Sequence, residues 1–480
     1  MGKEEPGPQG SEFTIGKENN SPTESRFTRM KKSDNSQSQL FATRLGVIAA
    51  TVGSAVGLGN IWRFPYEAGV HGGGAFMIVY LVFIFLLGIP VLTAEFVLGR
   101  STHRSVFGAF GFLKPGTRFK GIGLIGVVAS LMILSFYSVV AGWTLEYFIR
   151  SFGDLFSKNG SDDFHRMFGE FTEGWRPILW TVVFLLINML VIVRGVQKGV
   201  ERASNIITPL LFVLILIFCV NSLTLSGARE GLEFLFRPDF SEISPSVVIG
   251  AMGQAFFSLS LGLGCMLTYA SYFKDDTPLI RSATVTAGLD VMAAILSGIL
   301  IFPAVFTYGF SPEAGPALVF EVLPAIFAQM PGGKIFAPLF FFMLFLASLS
   351  STISMSEIMV SWLTRERGVS RRSACWLTIG IAMFFGVLCA LSFSYMSGLK
   401  IAGTIEFNIF NIFDYTSSNI LLPFGGMLIS IFTGWQLDRN IVKKTMNEPK
   451  SWFNRFAPFV IFILKYVAPV MIFVIFVSNV

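Results

Sequence analysis

Charge is what this chain has least of. Asp, Glu, Lys and Arg make up 14% of 480 residues, whereas 53% are hydrophobic and 52 are Phe. With a mean hydropathy of +0.65, there is too little polar surface for a water-soluble domain. Cysteine and histidine are sparse too, at four and three residues. Cys219, Cys265, Cys375 and Cys389 lie in or beside apolar segments without CxxC spacing, and His71, His103 and His165 are scattered. A disulfide framework and a His/Cys metal cluster are therefore not indicated. Alternating strands of roughly ten residues are missing, which argues against a membrane β-barrel. Nothing resembles an activated nucleophile, a metal cluster or a phosphate cradle, so the chain is not expected to be an enzyme.

What is present is a succession of apolar runs of about 20 residues, each long enough to cross a bilayer as a helix. Hydropathy places about eleven spans near 42–68, 74–99, 121–149, 177–194, 204–223, 247–272, 280–309, 335–364, 371–393, 403–435 and 453–478. The expected fold is an all-α polytopic membrane protein. Residues 1–40 are polar and without apolar period, a disordered cytoplasmic tail in which MGKEEPGPQGSEF reads as vector-derived. Residues 41–435 form the core, with halves 41–223 and 247–435, and 436–480 hold a cytoplasmic loop and the last span. With the N-terminus inside, roughly 26 of the 36 Lys and Arg fall on the cytoplasmic side. The +6 net charge is thereby explained without a nucleic-acid partner, and an odd number of spans puts the C-terminus outside a plasma (inner) membrane.

The first span is interrupted. VGSAVGLGNIWRFP, Val52 to Pro65, carries Gly53, Gly57, Gly59, Asn60, Arg63 and Pro65 at mid-membrane depth. Three glycines in seven residues favour non-helical backbone, which lipid tolerates only where freed N–H and C=O groups find partners in protein or a cavity. Gly53 and Gly57 also make a GxxxG, so close helix packing is the simpler reading of this segment alone. A second interruption, GQAFFSLSLGLGCMLTYASY, Gly253 to Tyr272, places Ser258, Ser260, Gly262 and Gly264 at the same depth five spans later. An odd offset inverts the second unit relative to the first. Paired broken helices mark a transporter site: half-helix N-termini suit a carboxylate, and freed carbonyls with hydroxyls suit a hard cation such as Na⁺.

The eighth span adds Ser350 and Ser351 beside Ala347. Arg63, Glu95, Asp290, Glu357 and Asp414 are charges inside spans, each a functional candidate. Arg63 and Asp414 are placed to pair over the site from outside, and Asp290 to meet a cation at the breaks. Ser311 to Lys334, with two short apolar stretches punctuated by Pro and Gly, is expected to form a helical hairpin on the outer face.

With these residues assembled, the chain resembles the neurotransmitter:sodium symporter family, specifically its bacterial amino-acid branch of eleven-span type. The likeness runs from about Phe41 to the end and is carried by GSAVGLGNIWRFPYEAGVHGGGAF, GQAFFSLSLGLGCMLTYASY, TIEFNIFNIFDYTSSNI and GPALVF. It implies a five-plus-five inverted repeat with broken first and sixth helices. It also implies two sodium sites. The first uses the carbonyls of Ala55 and Ser258 and the side chains of Asn60, Ser258 and Asp290; the second uses the carbonyls of Gly53, Val56 and Ala347 with the hydroxyls of Ser350 and Ser351. Substrate is implied to touch Ser54, Ala55, Leu58, Gly59, Tyr137, Phe257, Ser258, Ser260, Leu263, Ser351 and Met355. Tyr137 with Phe257, and Arg63 with Asp414, are the implied outer gate.

Three positions bear on selectivity. Gly57 stands where monoamine carriers have Asp, which favours substrates with their own carboxylate. Asp290 stands where chloride-dependent relatives have Asn, so no chloride requirement is expected. Leu263 and Met355 give an apolar, adaptable wall. One departure concerns the inner gate: Ser38, Arg365 and Phe41 replace the family's Arg, Asp and Trp, leaving Lys31, Lys32 or Arg44 with Glu366 as the available substitutes. The expected activity is sodium-coupled symport of a hydrophobic or neutral amino acid by alternating access. A non-transporting amino-acid sensor of the same fold, or a gated ion channel, are the alternatives.

Overall fold

The computed structural model describes residues 40–153, 161–312, 318–396, 400–401, 405–406, 408–446 and 455–479. All but the last residue of the expected tail, with Lys31, Lys32 and Ser38, lies outside them. Eight helices are long and apolar enough to cross a membrane, and two bent helix pairs raise this to ten. The pair Pro245–Ser258 and Cys265–Ala270, each piece too short to span by itself, completes the expected set of eleven.

In order, the spans are Arg44–Ala55 with Gly59–Val70, Gly74–Thr102, Lys120–Arg150, Arg176–Ile192, Val196–Ser222, the interrupted sixth, Leu279–Thr307, Gly333–Arg367, Arg371–Leu391, Ile409–Gln436 and Ala457–Val474. A broken helix heads each half of the ten-span core. The long third and eighth spans pack along one another, and the breaks are set against them. Leu, Val, Phe and Ala fill the interior, while outward positions such as Phe85, Leu190, Val213 and Phe384 are exposed apolar side chains, as a lipid-facing surface requires.

Two expectations are corrected. The tenth helix starts at Ile409 rather than 403, because the Asn408 side chain accepts the N–H of Asn411 and caps it. Ahead of it Lys400–Ile401 pairs antiparallel with Ile405–Glu406, a short ribbon in an otherwise helical chain. Of the segment before the eighth span, the described residues Leu318–Gln329 form one continuous helix that runs through Pro324, where the sequence suggested two short stretches. Gly315 to Ala317 of the GPALVF motif lie outside the described residues.

Candidate functional site

The first break falls at Val56–Leu58. Val56 closes the helix in an extended conformation, and several of the groups freed around it have identifiable partners. Gly57 N–H donates to Asn60 Oδ1 at 3.2 Å, and Leu58 N–H to the Tyr137 hydroxyl at 3.1 Å. The Val56 carbonyl accepts from Ser350 Oγ at 3.4 Å, and the Gly59 carbonyl from Gln254 Nε2 at 2.8 Å. Position 57 is tight: a Cβ there would fall 2.3 Å from Ser351 Oγ and 3.1 Å from the Tyr137 hydroxyl, so Ser351 would have to move to admit one. The packing and binding readings of the GxxxG therefore hold together, since close approach is what brings the eighth span's hydroxyls to the freed carbonyls.

The second break runs from Leu259 to Gly264 between two helical pieces. Ser260 has φ +52 and Gly262 φ +81, left-handed backbone that glycine adopts freely and serine rarely. Glu95, buried in the second span, reaches across. Its carboxylate accepts Gly262 N–H at 2.8 Å and Leu267 N–H at 3.2 Å, replacing the helical bonds that the break removed. The tenth span packs so closely that a Cβ on Gly262 would strike the Leu422 carbonyl.

Between the breaks lies a small cavity of about 20 Å³, room for little more than one water molecule. Ser54, Ala55, Gly59, Tyr137, Phe257, Ser260, Leu263, Ser351 and Met355 line it. Of the substrate set implied above, Leu58 and Ser258 are not on its wall; Gly57, Ile133 and Leu422 are, and had not been selected. The lining mixes the hydroxyls of Ser54, Tyr137, Ser260 and Ser351 with the apolar side chains of Ile133, Leu263, Met355 and Leu422.

Beside it is a fully buried carboxylate. Asp290 accepts from Ser258 Oγ at 2.6 Å and Asn60 Nδ2 at 2.8 Å, with the Tyr80 hydroxyl at 3.4 Å from the same Oδ2 as Ser258. The structure thus brings Asn60, Ser258 and Asp290 together. Tyr80 was missed; its only signal is a lone hydroxyl in the apolar run GAFMIVYLVF. Tyr80→Phe is expected to weaken sodium-dependent binding by about 2- to 10-fold, the worth of one net hydrogen bond, measured by sodium titration. A second oxygen cluster joins the Val56 and Ala347 carbonyls through Ser350 Oγ, 3.4 and 2.9 Å away, with Gly53 packed against Ser350. Carbonyl, hydroxyl and carboxylate oxygens of this kind are ligands for a hard alkali cation. No group of three or more His, Cys, Asp or Glu among the described residues could hold a metal.

The charges at the two ends pair differently from expectation. At one end, Arg63 is not joined to Asp414: its Nε is 3.4 Å from Glu67, and its guanidinium lies 4.5 Å over the Phe257 ring. At the other, Arg44 pairs with Asp276 at 3.0 Å, while Glu366 accepts from Ser105. Arg365 donates to the His103 carbonyl and Ser271 Oγ, and stacks on Tyr272. Phe41 is buried against Tyr269, Tyr272 and Phe273. Glu201, which sequence reading passed over, accepts Ala42 N–H, Thr43 N–H and Thr43 Oγ1 at 2.8–3.1 Å and caps the first helix from another span.

Comparison with known proteins gives a consistent result. The model of the sodium:neurotransmitter symporter family matches residues 38–167 and 163–480. An uncharacterized sodium-dependent transporter of Bacillus subtilis, YhdH, is 36% identical over 91% of this chain and 97% of its own length. One from Haemophilus influenzae is 33% identical over 93% and 99%. Among solved structures, MhsT in complex with L-phenylalanine is similar with a TM-score of 0.84 and 42% identity, covering 92% of this chain and all of that one.

Proposed function

The chain belongs to the sodium:neurotransmitter symporter family, and from that premise we propose that it carries a hydrophobic or neutral amino acid inward with Na⁺, by alternating access and without chloride. The observation that carries this reading is the meeting of both helix breaks on one cavity lined by hydroxyl groups and apolar side chains together. The substrate carboxylate lies at the freed N–H groups and the side chain among Ile133, Leu263, Met355 and Leu422. Gly57 offers no acid for an amine, so the substrate supplies its own negative charge. The bound phenylalanine of MhsT is a ligand of this description.

Two sodium ions fit the two oxygen clusters. The first joins Ala55, Asn60, Ser258 and Asp290 to the substrate carboxylate; the second joins Gly53, Val56, Ala347, Ser350 and Ser351. Each positive charge moved inward gains about 2.3 kcal/mol per 100 mV. The donors that would hold a chloride ion, Ser258, Asn60 and Tyr80, are already turned on the Asp290 carboxylate, so fixed charge takes the anion's place. Tyr137, Phe257, Arg63 and Asp414 form the outer gate, and closing it over a loaded site releases the inner half of the first span. The N-terminus is cytoplasmic, the C-terminus outside a plasma membrane, and the chemistry is transport rather than covalent change.

The test is a binding screen of the twenty amino acids on purified protein, in Na⁺ against K⁺ and with or without Cl⁻, followed by uptake into proteoliposomes. Apolar amino acids should bind in Na⁺ only and be indifferent to Cl⁻. Binding without uptake would make the protein a sensor, and conductance far above transporter turnover a channel. Ser351→Ala should shift the sodium titration at least several-fold. An unchanged titration would remove the second ion site.

A further inference from the structure

The gate arginine has an acceptor that the reading above does not use. Arg63 Nε lies 3.4 Å from Oε1 of Glu67, one helical turn on, but it is buried and makes no hydrogen bond. The contact is an ion pair without the aligned fork of a strong arginine–carboxylate bond. Glu67 is itself held from its other sides. The Tyr66 hydroxyl donates to Oε1 at 3.0 Å, and His71 Nδ1 is 3.3 Å from Oε2 and 2.9 Å from the Glu67 carbonyl. Asp414 acts on Arg63 electrostatically from the tenth span, while its Oδ1 accepts from Ser418 at 3.1 Å.

We propose that Glu67 is a positioning residue of the outer gate: it holds Arg63 over Phe257 and off Asp414, with His71 setting how firmly, so that closure is an exchange of Arg63 from Glu67 to Asp414. This rests on the gate described under Proposed function. The exchange is cheap because the Arg63–Glu67 pair it breaks is partly exposed and poorly aligned. Substrate binding against Phe257 then needs only a modest bias to move it. Protonated, the His71 imidazolium competes with Arg63 for the same carboxylate. Neutral, its Nδ1–H still faces Glu67, but without the charge that rivals Arg63. His71 is therefore the group that makes gate closure sensitive to external pH near neutrality.

Other charged or titratable groups around the pair are few. Arg63 and Tyr66 lie on the same helix. Glu242 abuts the adjoining turn at Gly72, and Asp414 faces it from the tenth span. The sixth span meets His71 through Gly250 and the second through the Phe76 ring, neither of them titratable. Asp290 of the seventh span is committed to Ser258 and Asn60.

The test is uptake of tritiated L-phenylalanine into proteoliposomes, with external pH varied from about 6 to 8.5 across the ordinary imidazole range, for wild type, Glu67→Gln, His71→Asn and Asp414→Asn. Wild-type KM should fall several-fold on acidification. His71→Asn should flatten that profile, and Glu67→Gln should lower KM about 2- to 5-fold at every pH while leaving kcat unchanged or reduced, on the scale of one ion-pair contact. Asp414→Asn should raise KM and abolish the pH response. If Asp414→Asn transports like wild type, the gate itself fails. If it is impaired while Glu67→Gln and His71→Asn keep the wild-type KM and pH profile, the gate stands and the exchange is overturned.

Discussion

Asp290→Asn should cost this transporter about 10- to 100-fold of its uptake in chloride-free medium, and added chloride should restore much of it. The carboxylate is fully buried and accepts from Ser258, Asn60 and Tyr80 with no cationic side chain among its hydrogen-bond partners. An uncompensated negative charge in that position is expensive unless a cation completes it, which is the role assigned to Na⁺. Asparagine keeps the volume but loses the charge, and a hydrogen bond to a charged group is worth about 1.5–3 kcal/mol. The Ser258 and Tyr80 hydroxyls, no longer facing a carboxylate, are free to bind an anion. Uptake measured in chloride and in gluconate decides the matter. A variant that transports as wild type in gluconate would remove Asp290 from the ion site, and one that is dead in both would leave charge replacement unsupported.

Glu95→Gln should have the second large effect, on affinity and stability together. Glu95 touches no cavity residue's side chain as a ligand would. It holds the sixth break open by accepting one N–H from within it, at Gly262, and one from the helix that follows, at Leu267. A glutamine presents one acceptor oxygen and one NH₂, and the NH₂ would face a backbone donor. One buried N–H is left unpaired, at about 1–3 kcal/mol, and the Ser260–Gly264 loop shifts with it. Substrate binding should weaken by about 5- to 100-fold on that scale, with lower thermal stability in detergent whether or not sodium is present. Glu95→Ala should be worse on both counts. If Glu95→Gln lost affinity only for sodium and kept its stability, Glu95 would be acting on the ion rather than on the backbone.

Both residues were visible in the sequence as charges inside spans, but only for Asp290 was a role readable there. Asp290 could be placed beside the breaks because the seventh span's register and the sixth's interruption are both local patterns. Glu95 could not be assigned to the Gly262 loop, since that depends on how the second span packs on the sixth. The same holds for Tyr80, Leu422 and Ile133, apolar or nearly so in sequence and distinguishable from ordinary core only by position. Arg63 is the clearest case. Sequence offered it Asp414 across the site, and the fold gives it Glu67 one turn away.

What the chain determines by itself is what single stretches of it contain: apolar length that commits each segment to a bilayer, and the glycine and hydroxyl clusters at Gly53–Asn60 and Ser258–Gly264 that a continuous helix does not need. Backbone freedom and hydropathy are properties of neighbours in sequence, so two broken spans and the inverted halves they head were readable without coordinates. The tertiary structure alone decided which distant side chain satisfies each freed N–H and C=O, and which carboxylate each buried cation meets. Those outcomes turn on differences of an ångström between competing partners, and such differences arise only when spans far apart in the chain are packed together.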